Sequence, residues 1–207
     1  MVLKVFITTL LLLSQMANAA SNPELVSIKS LHYRGSGCRP GSVVYNLSAD
    51  AAAFTLIFDS YIAEGGPHTA EQDQMKACQV MIDLDYPKGW SYTVAQVDFR
   101  GYAKLDQRAR AVLRTNLFFA KTMRGPALKS EFQGPYDDDY VVSDRLGIGG
   151  DHPWSGCQGR DNLTINTVAH VQAPGRSRGL LTVDSIDGEF VQTYGLRWKK
   201  CGVARRY

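Results

Sequence analysis

Long apolar runs are scarce in this chain. Beyond residue 19 no segment is apolar enough to span a bilayer, which takes about 20 apolar residues in a row. An excess of one charge is lacking too. The 23 Lys and Arg against 20 Asp and Glu leave a net +3, small and scattered, which gives no footing for nucleic acid. The spaced signatures of metal chemistry are also missing. There is no C-x-x-C pair for a thiolate zinc site and no D-x-[DN]-x-[DN]-G calcium loop. His32, His68, His152 and His170 fall in neither H-E-x-x-H nor H-x-H spacing. No cofactor is implied. With 44% hydrophobic and 21% charged residues, wholesale disorder is excluded as well.

What is present begins with a leader. Met1 to Ala19 reads as a secretory signal peptide: Lys4 is the positive n-region, Val5 to Leu13 is apolar except for Thr8 and Thr9, and Ala17-Asn18-Ala19 is a small-x-small cleavage site. The apolar stretch is too short for a membrane anchor. The expectation is a mature chain from Ala20 to Tyr207, released outside the cell, with no membrane segment. Without internal repeats or low-complexity linkers, residues 20–207 are expected to form one domain.

Cysteine usage agrees with export. Cys38, Cys78, Cys157 and Cys201 all follow the leader, and an even count in an oxidising compartment points to two disulfides. Four cysteines allow three pairings, which sequence alone does not separate. Cys38 with Cys78 and Cys157 with Cys201 is the expected pair, because it closes two moderate, non-overlapping loops. Asn46-Leu47-Ser48 and Asn162-Leu163-Thr164 are N-x-[ST] acceptors, so Asn46 and Asn162 are expected to carry glycan and face solvent.

Period-2 patterning dominates the rest. Val80, Ile82 and Leu84 alternate with Met81, Asp83 and Asp85 in the cleanest half-buried strand. In Trp90 to Phe99, Tyr92 and Val94 share one phase and Val97 and Phe99 the other, which predicts a bulge near Ala95-Gln96. Further runs lie at Leu25–Tyr33, Val43–Leu47, Phe54–Asp59, Ala109–Phe119, Leu128–Phe132, Tyr140–Ser143, Leu163–Val171, Leu180–Ile186 and Phe190–Trp198. Turns such as Pro87-Lys88-Gly89 and Gly134-Pro135 separate them. About eleven short strands at this spacing predict an all-β fold, an antiparallel β-sandwich stapled by disulfides. His68–Ala77 could form a short helix; Asp106–Leu113 could too, but reads as strand.

Candidate chemistry is thin. Gly175-Arg176-Ser177-Arg178-Gly179 matches G-x-S-x-G, but Pro174 precedes it and the β-pattern Leu180–Val183 comes after. A nucleophile elbow needs a helix there, so a basic hairpin tip is expected. Asp137-Asp138-Asp139 with Asp144 is the densest acidic patch. Asp137, Asp139 and Asp144 are the calcium candidates, although adjacent side chains alternate when extended and a solvated acidic loop is the plainer reading. Trp90, Phe99 and Trp198 are expected in the core; Tyr136 and Tyr140, beside the acidic patch, are expected as surface contacts.

Several motifs together resemble a known family. Gly37-Cys38-Arg39-Pro40-Gly41-Ser42-Val43, Phe54 to Tyr61, Cys78-Gln79-Val80, Tyr86-Pro87-Lys88-Gly89-Trp90, Phe99 to Asp106, Phe132-Gln133-Gly134-Pro135, Trp154-Ser155-Gly156-Cys157 and Leu196 to Cys201 follow in order the pattern of the secreted domain of unknown function 4360 family. Arg39 departs from it, where the pattern runs from Cys to Pro. The resemblance implies a small secreted β-rich protein of fungi and related microbes, and brings no activity or catalytic residues. With no nucleophile, metal or cofactor signature, the leading expectation is a non-catalytic extracellular protein that binds a cell-wall polysaccharide, a surface component or a host protein. The alternatives are an extracellular hydrolase with a carboxylate pair separated in sequence, and a structural wall protein.

Overall fold

The computed structural model describes residues 22–122, 124–147, 153–183 and 192–202. The leader at residues 1–19, His152 and residues 184–191, which take in the end of Leu180–Ile186, the Asp187-Gly188 turn and the start of Phe190–Trp198, lie outside these. The described chain runs β1 (Ser27–Arg34), β2 (Val43–Leu47), β3 (Ala53–Phe58), β4 (Ile62–Gly65), α1 (Glu71–Gln74), β5 (Met75–Asp85), β6 (Trp90–Leu105), β7 (Arg110–Phe119), β8 (Ala127–Gln133), β9 (Tyr136–Arg145), β10 (Arg160–Gln172), β11 (Gly179–Thr182) and β12 (Gln192–Lys200).

The strands form two antiparallel sheets. The first has the order β1-β5-β10-β7-β8; the second runs β2-β3-β12-β6-β11-β4, with β9 also on β6. β9 holds one edge of β6 from Gln96 to Leu105, so β12, along Trp90–Phe99, and β11, along Ala103–Leu105, share the other edge in succession. Most connections cross from one sheet to the other. Their inner faces meet in a single core: Phe54, Leu56, Phe58, Tyr61, Tyr92, Phe99 and Tyr194 on one side, Ile82, Leu84, Leu113, Phe119 and Leu163 on the other. Burying each such side chain stabilises the fold by about 1.5–3 kcal/mol.

Alternation of apolar side chains foretold most of these strands, and the slip at Ala95 is a true bulge: Gly195 pairs with Gln96 and Leu196 with Val94. Three departures are instructive. β4 escapes the pattern because it is four residues long and ends in glycine. β6 runs on to Leu105 through Gly101, where a Cβ would sit 2.4 Å from the Thr182 carbonyl oxygen and 2.5 Å from the Tyr140 hydroxyl. That glycine permits close packing rather than ending the strand. The acidic run is no loop: Asp137–Asp139 lie within β9, paired along β6.

The helical possibility at His68–Ala77 shrinks to the one turn of α1, because from Met75 onward the chain pairs with β10. At Asp106–Leu113 the strand reading holds from Arg110 onward.

The cross-links are Cys38–Cys78 and Cys157–Cys201. The first joins the β1–β2 crossing to β5. The second joins the segment before β10 to the end of β12.

Candidate functional site

The residues singled out by pattern are largely absorbed by the fold. The G-x-S-x-G stretch is not a hairpin tip but the crossing from β10 in one sheet to β11 in the other. Ser177 is 8% exposed, its N–H donates to the Pro174 carbonyl, and a strand comes next, so no elbow is formed.

The acidic patch divides by strand alternation. Asp137 and Asp139 stand opposite Lys104 and Tyr102, whereas Asp144 stands opposite the inward-facing Val97 and has the other parity. Lys104 Nζ donates to Asp137 Oδ2 at 2.8 Å, and the Tyr102 hydroxyl donates to its Oδ1. These two bonds, that from Lys104 first, hold the Asp137 carboxyl below the usual carboxylate range. Among the described residues no three His, Cys, Asp or Glu side chains gather as a metal site.

Asp83, on the polar side of the cleanest strand, is 8% exposed and receives both the Nε and Nη2 donors of Arg160 at 2.6–3.1 Å. It anchors β10 to β5 rather than facing a ligand.

Two aromatic residues differ from expectation, Tyr140 and Trp90. Tyr140 is a core residue, 3% exposed, with its hydroxyl donating to the Thr182 carbonyl at 2.7 Å. Burial pushes its pKa up. It points inward because its parity along β9 is that of Val142, and Gly101 makes room for the ring. Tyr136 is half-buried beside Phe132. Phe99 and Trp198 are core, but Trp90 is only half-buried, with Lys200 Nζ 5.5 Å from its ring centroid; Lys199 Nζ sits 3.9 Å over Trp154. Asn46 on β2 and Asn162 on β10 are both exposed.

Sequence reasoning did not find the concave surfaces. One cleft of about 580 Å³ lies across β4, β11 and β6, and brings together Glu64, His68, Lys104, Asp106 and Arg178. Asp106 is partly committed there: its Oδ2 accepts the Arg178 N–H at 2.7 Å.

Two others, of about 430 and 540 Å³, adjoin on the outer face of the five-stranded sheet and share Arg110, His170 and Gln172 as walls. On the same face a polar ladder crosses three strands: Arg34 Nε donates to Gln79 Oε1 at 3.0 Å, and Gln79 Nε2 to Asn166 Oδ1 at 2.9 Å. Asn116 is the next residue in that row. The signal was only half visible in sequence. The outward positions of β7 and β10 are polar, but their register across three strands is not written in either one.

Fold and cross-links together define a two-sheet, antiparallel, all-β domain of the disulfide-stapled kind that oxidising compartments favour. Residues 24–201 match the family described as a domain of unknown function (DUF4360). The chain belongs to that family. An uncharacterized secreted protein of Arthroderma benhamiae is 35% identical over 183 residues, covering 88% of this chain and 74% of the relative. Among solved structures, a carbohydrate-binding module, TmCBM61, in complex with β-1,4-galactotriose overlaps 84% of this chain and 90% of its own, with 9% identity and a TM-score of 0.25. The enzymatically active domain of tailspike protein 4 of bacteriophage CBA120 overlaps 83% of this chain and 20% of its own, with 12% identity and a TM-score of 0.29. Overlaps at that level carry no site from those proteins to this one.

Proposed function

We propose that this chain is a secreted protein, one domain over residues 20–207 after loss of residues 1–19, that binds an extracellular surface polymer without transforming it. The observation that carries this reading is the open outer face of the five-stranded sheet, where a hydrogen-bonding ladder leads into two contiguous polar clefts. Enclosed pockets lined by apolar groups suit small ligands. A broad face lined by amides, guanidinium groups and an imidazole suits a long chain of polar units instead. Exposed Asn46 and Asn162 are compatible with glycan attachment, and the two cross-links with export.

The test is retention of the purified, disulfide-intact mature protein on insoluble cell-wall fractions and on a glycan array. Retention that Asn166→Ala weakens several-fold is expected; passage through every wall fraction and every array position removes the reading. Peptide mapping of secreted material checks the rest, with Ala20 as the first residue and glycopeptides containing Asn46 and Asn162.

A second reading is hydrolysis, favoured by the 580 Å³ cleft that holds both Glu64 and Asp106. Among the described residues no Phe, Tyr or Trp lines this cleft to stack on a sugar. Release of reducing ends from wall polysaccharide, abolished by Glu64→Gln, would establish it over the binding reading.

A further inference from the structure

Resting on the binding reading above, we propose that the polymer is a linear polysaccharide carrying repeated anionic groups, carboxylate or sulfate, held at the arginine-lined end of the five-stranded sheet. Arg108, Arg110 and Arg114 are exposed, and all three line the two adjoining clefts. Among the described residues none of these three guanidinium groups is in an ion pair. Among the described residues Glu131 is the one carboxylate lining either cleft, and Lys129 Nζ bonds it. Glu131 also feels Arg110 and Arg114 at longer range, so one carboxylate faces three lining arginines and the adjacent Lys129, and positive charge is in excess.

The geometry suits a chain of anions. Arg110 and Arg114 stand on the same side of β7, about 13 Å apart along the strand at four residues' separation. His170 on β10 pairs with Val112, midway between them, and Lys129 lies opposite Arg114 on β8. Gly175, in the crossing that also carries Arg176, sits against Arg108 and continues the cationic surface beyond the sheet edge. Each guanidinium presents a planar donor fork that matches a carboxylate or sulfate with two parallel bonds. Gln172 and Gln133 flank Arg110 on the neighbouring strands and supply neutral donors and acceptors for sugar hydroxyls.

A single-stranded nucleic acid fits this face less well, because it is held chiefly by bases stacked on exposed rings. Among the described residues Phe132 is the one Phe, Tyr or Trp lining either cleft, and its ring is packed on Tyr140 with centroids 4.6 Å apart.

The experiment measures binding of the disulfide-intact mature protein to polygalacturonate, dextran sulfate, neutral laminarin and a short single-stranded DNA at matched anion concentration. The variants are R110Q/R114Q and, on the outer face of the other sheet, R145Q. Thermal melting of each variant checks folding, and R108Q alone replaces the double variant should that fail to fold. The expected result is salt-sensitive binding to polygalacturonate or dextran sulfate, the stronger of the two naming the anion, weakened about tenfold by R110Q/R114Q and unchanged by R145Q. Polyanion binding that ignores R110Q/R114Q overturns the proposal. So does tighter binding to the single-stranded DNA than to either polysaccharide. Retention on laminarin or wall fractions with no affinity for either anionic polymer overturns it while leaving surface binding standing. Retention on none of these removes both.

Discussion

The two ends of the sandwich solve the same problem differently. Near one end Cys38 and Cys78 are almost fully buried, and Tyr61 beside them donates its hydroxyl across the core to the Thr167 carbonyl at 2.6 Å. Gly37 packs so closely that a Cβ there would meet the Tyr61 ring at 2.3 Å. Near the other, Cys157 is exposed and Cys201 half-buried, and the cross-link pins the segment Pro153–Gly156 over β6. That segment bonds to the sheet through Ser91, Tyr92 and Thr93. Among the described residues the buried Tyr92 hydroxyl has no partner, although its ring packs edge-on to Tyr86 and Phe119. One end is sealed as part of the core; the other is strapped from outside.

The largest expected effect separates the cross-links. Sequence separations of 40 and 44 residues give both loops nearly the same closure entropy, about 4 kcal/mol on the chain-entropy model. Cys38→Ala/Cys78→Ala also opens a cavity in the core, so it should lower stability more than Cys157→Ala/Cys201→Ala, by about 1 kcal/mol or more. Chemical denaturation compares the two. Under native conditions with a mild reductant, alkylation and mass mapping should find Cys157 and Cys201 labelled before Cys38 and Cys78. The reverse order would dissolve the contrast between the two ends.

Alkaline pH tests what the ends share. Burial pushes the pKa of Tyr61, Tyr92 and Tyr194 well above the ordinary tyrosine value. A raised folded value means stability that is complete below about pH 10, where the unfolded tyrosines begin to ionise, and is lost as pH rises from there. Tyrosinate absorbance should therefore appear in two phases, exposed rings first and the buried ones together with loss of tertiary circular dichroism. A single phase before unfolding would place these hydroxyls in water.

The smallest effects are the sharpest. Tyr61→Phe leaves the Thr167 carbonyl without that donor and should cost about 1–2 kcal/mol. Tyr92→Phe removes a buried hydroxyl that bonds nothing among the described residues and should be neutral or stabilising by up to about 1 kcal/mol. Equal losses at both positions would break the comparison.

Legibility in the sequence followed the range of the interaction. Strands such as β5, β7 and β10 show themselves through their own alternation, because a half-buried strand needs one apolar face whatever it pairs with. The Ala95 bulge is visible for the same reason, as a change of phase within one segment. The inward turn of Tyr140 is not, since it depends on a glycine 39 residues earlier and on a carbonyl from β11. The arginine-lined clefts are hidden more deeply. Arg110 and Arg114 look like ordinary outward positions of one strand, and Arg108 like part of the turn before it, until β8 and β10 are laid beside them, and the charge total of +3 conceals them entirely.

Local side-chain rhythm alone determined that this polypeptide builds strands and, for most of them, which side is apolar. It could do so because the two-residue repeat of an extended backbone is a property of the strand itself. The order of strands, the mates of the four cysteines and the meeting of Arg110, Arg114 and His170 on one face were decided only in three dimensions. Each depends on pairing partners distant along the chain, and a pattern within one segment carries no record of which partner it will meet.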